Sequence, residues 1–262
     1  MKRYSRHIAL SEVGLLGQLK ISESKVLVIG AGGLGAPLLL YLTAAGIGTI
    51  GIVDFDTISL SNLQRQVLFR EQDLNLNKAD IAKARLRARN SEINITSYPV
   101  ALSTSNALEI LKTYDIVVDC TDNFRARYLI NDACVKLNKP FVFAAIYKFE
   151  GQLSVFNYAG GPTYRWLFPL PPKAREVPNC EEAGVLGVLP GILGAYQANE
   201  VLKIILNIGE VLSGKLVSIN LLTNQQKSFQ FKKNKPLIKQ VIQEELSYIE
   251  LNDCKITHEK KH

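Results

Sequence analysis

The 262-residue sequence has few histidines and few cysteines, and both shortages limit the chemistry available to it. Only three histidines occur, and two of them, His258 and His262, lie in a polar tail, so a histidine-dependent catalytic triad is not expected. Four cysteines without a secretory segment indicate a reducing compartment rather than a disulfide scaffold. None of them forms a Cys-x-x-Cys pair, so a four-sulfur zinc site within one chain is not expected.

Long unbroken apolar runs, internal repeats and low-complexity linkers are also missing. The longest apolar stretches, 26–53 and 185–206, are interrupted by glycine, proline or polar residues and are typical of buried strands and helices rather than membrane spans. With 47% hydrophobic and 21% charged residues, the chain can build one sizeable core. We therefore predict one domain over residues 1–235, a short polar tail over 236–262 and, without a signal peptide, a cytoplasmic protein.

The net charge of +7 does not by itself indicate a nucleic-acid-binding protein. The basic residues are not interleaved with an aromatic platform, they match no recognised binding module, and several belong to the tail. A small phosphate-bearing ligand or an acidic partner protein accounts for this charge better.

A glycine-rich loop follows the first apolar segment. The strand-length run 25–29, the loop from Gly30 to Gly35 and a leucine- and alanine-rich segment through Gly46 predict a strand, a tight turn and a helix. Gly30, Gly32 and Gly35 have the dinucleotide spacing: the first allows the turn, the second lets the backbone approach phosphate, and the third packs helix against strand. A second predicted strand, 49–53, ends at Asp54, which can accept hydrogen bonds from ribose hydroxyls. A nicotinamide or flavin enzyme and an unliganded α/β sheet both remain open.

Polar and basic residues concentrate after this second strand. Cations and amides near a nucleotide loop can hold the β and γ phosphates and stabilise charge on leaving pyrophosphate. The alternative is a solvated helix face, which suits the basic helical stretch that continues beyond Lys78. The residues concerned are Asp56, Asn62, Arg65, Gln66 and Lys78 for the phosphates, and Lys83, Arg85, Arg87 and Arg89 for the solvated face.

A third apolar segment, 114–119, predicts another buried strand, followed by Cys120, Thr121, Asp122 and Asn123 before a helix through residue 138. Ligands bind at the carboxyl ends of parallel strands. Asp122 can bind magnesium there, because a hard cation prefers one or two carboxylates with phosphate oxygens and waters. Its alternative role is to cap the following helix.

The remaining strands are predicted at 141–146 and 152–158, with a late hairpin from 216–222 and 227–231. These strands can extend the sheet and receive a partner protein. Cys120, at a strand end, and Cys134, on a helix face, are expected to be small core residues.

Several separate motifs, in one order, resemble the sulfur-carrier adenylyltransferases of the ThiF and MoeB type, the molybdopterin-synthase and thiamine enzymes related to ubiquitin-activating enzymes. The resemblance implies an α/β, Rossmann-like ATP-binding fold whose mostly parallel central sheet is extended by late antiparallel strands. It also implies that the C-terminal glycine carboxylate of a ubiquitin-like carrier attacks ATP, giving an acyl-adenylate and pyrophosphate. The motifs are Tyr4-Ser5-Arg6-His7, the glycine loop, Asp54-Phe55-Asp56, residues 61–66, Lys78, residues 120–123, Glu150-Gly151-Gln152 and residues 180–185.

The resemblance also implies roles for single residues. A carboxylate is already ionised at neutral pH, so its attack needs no general base, in keeping with the few histidines. The implied cofactor-binding glycines are Gly30, Gly32, Gly33 and Gly35, with Gly33 at the closest phosphate approach. The other implied contacts are Asp54 for ribose, Asn62, Arg65 and Gln66 for the triphosphate, Lys78 for phosphate charge, Asp122 for magnesium and Asn123 beside the nucleotide.

Arg6 and Cys180 have less direct implied roles. Arg6 resembles a family arginine that reaches the nucleotide of the neighbouring subunit, which implies a homodimer; its alternative is a surface arginine. Cys180 matches a family cysteine that in some members forms a covalent link to the carrier. The neighbouring Glu181 and Glu182 would raise the pKa of its thiol, so it remains a candidate only.

One departure from the family concerns zinc. Thr163 and Trp166 stand at the apparent positions of the first Cys-x-x-Cys pair of the family, and no second pair follows Phe231, so we predict no zinc. The tail is too short for the rhodanese domain fused to some relatives, so any sulfur donor must be a separate protein. A relative that adenylates a peptide or a modified tRNA nucleoside, an oxidoreductase, and a silent carrier-binding scaffold remain alternatives.

Overall fold

A computed structural model describes residues 2–172, 184–231, 241 and 246, and an eight-stranded sheet forms its centre. The strands lie in the order β3-β2-β1-β4-β5-β6-β7-β8. They are β1 (Lys25–Ile29), β2 (Thr49–Val53), β3 (Asn94–Tyr98), β4 (Ile116–Asp119), β5 (Phe141–Tyr147), β6 (Glu150–Phe156), β7 (Lys215–Asn220) and β8 (Gln225–Gln230). The helices described are α1 (Ser5–Ile8), α2 (Gly14–Glu23), α3 (Gly35–Ala45), α4 (Lys78–Arg89), α5 (Ala107–Lys112), α6 (Phe124–Lys136), α7 (Tyr164–Leu167) and α8 (Val188–Leu206).

The sheet has a parallel half and an antiparallel half. Strands β1 to β5 pair in parallel, and β6, β7 and β8 extend the sheet by antiparallel pairing. This confirms the predicted fold class. The predicted strand at 114–119 begins later, at Ile116, because Tyr114 and Asp115 form the turn that enters it.

Apolar residues of the parallel strands alternate between two cores, one on each face of the sheet. Val26 and Val28 of β1 belong to the core beneath α3, α4 and α8, whereas Leu27 and Ile29 belong to the core beneath α5, α6 and α7. Strands covered on both faces must be apolar on both, which explains the unbroken apolar run that predicted β1. None of the described helices is long and apolar enough to cross a bilayer.

Candidate functional site

The glycine loop turns tightly against the end of β4. Gly30 has a φ of +97°, and a Cβ there would lie 2.6 Å from the Cys120 carbonyl oxygen, so only glycine fits this turn. A Cβ at Gly35 would lie 2.0 Å from the Gly30 carbonyl oxygen, which brings the start of α3 against the end of β1. The loop therefore lies at the carboxyl ends of β1 and β4, where ligands bind in sheets of this kind.

Asp54 fastens this loop to the end of β2. Its carboxylate accepts hydrogen bonds from the backbone N–H of Ala31 at 2.7 Å and of Asp56 at 2.9 Å. Burial raises the pKa of Asp54, while these two amides and Lys78 oppose the rise. The hydrogen bonds between Asp54 and the glycine loop were not predicted from the sequence. The role of Asp54 toward ribose stays a prediction.

The run 61–66 brings two predicted phosphate ligands to the glycine loop. A Cβ at Gly33 would lie 3.5 Å from Cγ of Arg65, and a Cβ at Gly32 would lie 3.5 Å from Nε2 of Gln66. Gln66 is only 3% exposed, and its Oε1 has no hydrogen-bond partner within the described residues. The unused oxygen can only accept, so a ligand N–H or O–H group would have to complete it, whereas the Nε2 group beside Gly32 can donate to a phosphate oxygen.

Hydrogen bonds of Asn62 fix the backbone conformation of the run 61–66. Its side-chain oxygen accepts from the Ser59 N–H at 3.3 Å, and its backbone oxygen accepts from the N–H groups of Arg65 and Gln66. The Arg65 guanidinium donates to the Ser61 carbonyl at 3.0 Å. Local hydrogen bonds thus fix the course of the chain that presents Arg65 and Gln66.

Lys78, the first residue of α4, adds a cation at the end of β2. Its Nζ donates to Asp56 at 2.9 Å, and its side chain is 8% exposed against 49% for that of Asp56. The side-chain amide of Asn77 donates to the carbonyls of Asp54 and Asp56 and so anchors the start of this helix.

Further along α4, Arg85 forms an ion pair with Asp73, so the prediction of a solvated side chain is wrong for Arg85. Arg87 and Arg89 are exposed, as predicted.

Asp122 and Asn123 are exposed in the short loop between β4 and α6. Asn123 caps α6, since its side-chain oxygen accepts from the Ala126 N–H at 2.8 Å. The alternative that Asp122 is this cap is therefore wrong. Within residues 2–172 and 184–231 the Asp122 carboxylate makes no hydrogen bond or ion pair, so it is available to a ligand.

Helix α8, far along the chain from the glycine loop, packs against that loop, and the residue before it packs against the run 61–66. Carbons of the Pro190 side chain would lie 3.2 Å from a Cβ at Gly33, and a Cβ at Gly187 would lie 2.3 Å from the Gln64 carbonyl oxygen. Farther along the helix, the Gln197 amide donates to the Asp119 carbonyl at 2.7 Å. Nothing in the sequence signalled these contacts, because they join residues far apart in the chain.

The structure does not bring Arg6 to the glycine loop of its own protomer. Arg6 is exposed on α1, and the neighbouring Tyr4 packs against Gly46, at the far end of α3. Helix α3 starts at the loop and has 11 residues, so about 16 Å separates its two ends. Arg6 therefore lies near the end of the sheet opposite to the other predicted ligands.

The cysteines divide into two groups. Cys120 and Cys134 are buried core residues, as predicted, and burial raises the pKa of both thiols. Cys180 and Cys254 lie outside the described residues.

The sequence model of the ThiF family matches residues 4–239. The chain belongs to the ThiF family. This confirms the resemblance drawn from the separate motifs. The match includes the glycine loop, the run 61–66 and the α8 contacts, so all of the site described above lies within the family domain.

Two curated relatives and one solved structure illustrate the similarity. The chain is 51% identical over 234 residues to the adenylyltransferase and sulfurtransferase MOCS3 of Aedes aegypti, covering 89% of this chain and 53% of that protein. It is 50% identical over 222 residues to a sulfur carrier protein adenylyltransferase of Thermus thermophilus, covering 83% and 82%. A crystal structure of E. coli MccB with ATP matches with a TM-score of 0.77 at 27% identity, covering 88% of this chain and 72% of that one. The chain thus spans about half the length of the Aedes relative.

The described residues do not gather the donor atoms of a zinc site, and the absence of zinc stays a prediction. Within the described part of the chain, no group of three or more His, Cys, Asp and Glu side chains could hold a metal ion. A single exposed carboxylate, Asp122, suits a magnesium ion that arrives with phosphate oxygens and waters.

Proposed function

We propose that this ThiF-family chain is an adenylyltransferase that uses ATP and magnesium to activate the C-terminal glycine carboxylate of a ubiquitin-like sulfur carrier. The single observation that carries the proposal is that the side chains of Arg65 and Gln66 lie beside Gly33 and Gly32 of the glycine loop. A dinucleotide needs little charge neutralisation beyond such a loop, whereas transfer at a triphosphate needs cations around it. The name of the Thermus relative, a sulfur carrier protein adenylyltransferase, supports this choice of substrate.

The residues of this chain would act on ATP mainly by placing positive charge and N–H donors. The backbone at Gly32 and Gly33 approaches the phosphates, Arg65 and Gln66 contact them from the side, and Lys78 leaves Asp56 for a phosphate oxygen. The exposure of Asp56 lets its carboxylate turn to water when Lys78 moves. Bound magnesium would neutralise charge on the phosphates, and Asp122 would hold it.

The carrier carboxylate needs alignment rather than a base. It is ionised at neutral pH, so the attacking oxygen carries no proton to be removed. Its attack forms the bond to the α-phosphorus and breaks the bond to the β-phosphate oxygen, so pyrophosphate leaves with the added negative charge. Fixed cations stabilise that charge in the transition state.

A homodimer would complete the site with Arg6. Around Arg6, the surface formed by α1, α2 and the turn between them exposes four leucines: Leu10, Leu15, Leu16 and Leu19, between 38% and 75% exposed. An apolar patch of this kind marks a protein interface. Burial of this surface against a second copy would carry Arg6 to the nucleotide of the partner.

The antiparallel half of the sheet would receive the carrier. Every residue of β8 is exposed, and among the described strands β8 is the last of the sheet and pairs with β7 alone, so its other edge could accept another strand. Thiolation for molybdopterin, thiamine or a related pathway would follow, with a separate sulfur donor. Cys180 would act after adenylation, if it forms a covalent link.

Exchange of labelled pyrophosphate into ATP tests the proposal. Purified protein, magnesium and a panel of small carriers ending in Gly-Gly are expected to give exchange, and carriers lacking that ending are not. Arg65→Ala and Asp122→Ala should reduce exchange sharply, whereas Cys180→Ala should leave it largely intact. Arg87→Ala is the matched control, because Arg87 is an exposed arginine on α4.

Two outcomes would contradict the proposal. Absence of exchange with every carrier, despite ATP binding, would favour a silent scaffold or, if tRNA stimulates ATP cleavage, a tRNA-directed relative. Tighter binding of NAD than of ATP, with little effect of Arg65→Ala, would favour an oxidoreductase.

A further inference from the structure

A buried ion pair holds the loop that carries Asp122. Asp119 ends β4 with no exposed surface, and one of its carboxylate oxygens accepts from the Thr121 backbone N–H at 2.8 Å and hydroxyl at 2.6 Å. Its other oxygen accepts from Nε of Arg127 at 3.1 Å. Arg127 also donates from Nη2 to the Thr121 carbonyl at 3.3 Å, so one guanidinium holds both the carboxylate and the loop.

Arg127 itself is fixed by its surroundings. It is 6% exposed, and its guanidinium lies 4.9 Å from the ring centre of Phe143 and 5.4 Å from that of Phe124. It also forms a hydrogen bond with Tyr164. A planar fork held between rings can orient two acceptors at once, which an ammonium group on a flexible stem does poorly.

Helix α8 holds the same loop from the other side. The Gln197 amide donates to the Asp119 carbonyl at 2.7 Å, and its oxygen accepts from the Cys120 thiol at 3.5 Å. Between Thr121 and the start of α6 the chain consists of Asp122 and Asn123, both exposed, and the side-chain oxygen of Asn123 caps α6. The rigid loop therefore presents a single carboxylate to the nucleotide site.

We propose that Asp119 and Arg127 are positioning residues that hold Asp122 where it meets the magnesium ion of bound ATP. The proposal rests on the proposed function. A buried ion pair is weak evidence for stability by itself, because removing two charges from water offsets much of their attraction. The Asp119–Arg127 pair also binds the backbone of Thr121, next to Asp122. Positioning of the Asp122 carboxylate is therefore a more specific reason for the pair than stability.

The test measures how much magnesium tightens ATP binding. Dissociation constants for ATP are determined by calorimetry with magnesium and with a chelator, and their ratio is the magnesium-dependent gain. Asp122→Asn should remove this gain, Arg127→Met should reduce it about 10-fold, and the double variant should resemble Asp122→Asn alone. Non-additivity of this kind indicates that the two residues act through one interaction. Affinity for metal-free ATP should change less than about twofold.

Two further variants separate positioning from general destabilisation. Arg165→Met removes another arginine that is largely shielded from solvent, makes a two-point ion pair with Asp132 at 2.7 Å and lies 4.9 Å from the ring centre of Tyr128. It should destabilise the protein but leave the magnesium-dependent gain unchanged. If Arg127→Met does not fold, Thr121→Ala removes only the hydroxyl donor to Asp119 and should lower the gain in the same direction.

The proposal is overturned if Arg127→Met weakens ATP binding equally with and without magnesium, or if its effect adds to that of Asp122→Asn. It is also overturned if Asp122→Asn or Thr121→Ala leaves the gain unchanged. A parent protein whose magnesium-dependent gain is lost in Asp122→Asn and reduced in Arg127→Met, but that gives no pyrophosphate exchange, would sink the proposed function and still support the positioning role.

Discussion

Replacing Gly35 by alanine should destabilise the protein strongly, for a reason that can be worked out from its surroundings. The new Cβ would lie 2.0 Å from the Gly30 carbonyl oxygen. An ordinary carbon–oxygen contact is about 3.3 Å, so the loop would have to shift by roughly 1.3 Å. Such a shift strains two hydrogen bonds: the one that the Gly30 N–H donates to the Val53 carbonyl at 2.8 Å, and the one that the Ala31 N–H donates to Asp54 at 2.7 Å. Overpacking and one weakened bond to a charged group together cost about 4 kcal/mol.

Urea unfolding at neutral pH measures this loss, and two other glycines supply controls. Gly191→Ala meets no atom within 4 Å on α8 and should be neutral or stabilising by up to about 1 kcal/mol. Gly32→Ala meets only Nε2 of Gln66 at 3.5 Å, an ordinary contact. It should keep stability within about 0.5 kcal/mol and lower ATP affinity instead. A Gly35→Ala variant that unfolds at the same urea concentration as the parent would refute the packing argument.

Three further predictions concern charge and burial. Lys78→Met should lower the free energy of unfolding by less than about 1 kcal/mol, because Asp56 can turn to water. It should weaken ATP binding, measured by calorimetry, about 10-fold, and unchanged affinity would contradict this. Asp54→Asn should lower stability by about 2 kcal/mol at neutral pH, because the new NH₂ faces a backbone N–H. Burial raises the pKa of Asp54 in the folded protein, so the free energy of unfolding of the parent minus that of this variant should increase as pH falls through that pKa. A decrease of this difference over the same pH range would contradict the argument. Native alkylation followed by mass spectrometry should leave Cys120 and Cys134 unlabelled until urea is added, and rapid native labelling would show that they are accessible.

The sequence predicted the elements whose pattern is local. Strands β1 and β2 match the predicted segments, because strands buried on both faces are apolar throughout. Gly30 and Gly35 have the close contacts expected of their positions in the glycine spacing. Strand β3 was missed, since the segment Asn94–Tyr98 lies at the edge of the sheet and contains only one fully buried residue.

The contacts that organise the site were not predictable from one sequence. Arg127 was an unremarked residue on a predicted helix, and its pairing with Asp119 depends on how α6 packs against β4. Gln197 and Pro190 belong to a helix whose docking face the sequence does not specify. Asp122 and Asn123 are adjacent polar residues, and only the course of the chain showed which of them caps the helix.

The contacts of α8 with the glycine loop affect the order in which the candidate site can form during synthesis. Pro190 covers Gly33, and Gly187 packs on Gln64, so both halves of the contact come from distant parts of the chain. A nascent polypeptide that has released β1 to β5 from the ribosome can pair its parallel strands, but it lacks the side of the cleft that α8 provides. The cleft beside the glycine loop therefore acquires both of its sides only when the residues through 206 have emerged and docked.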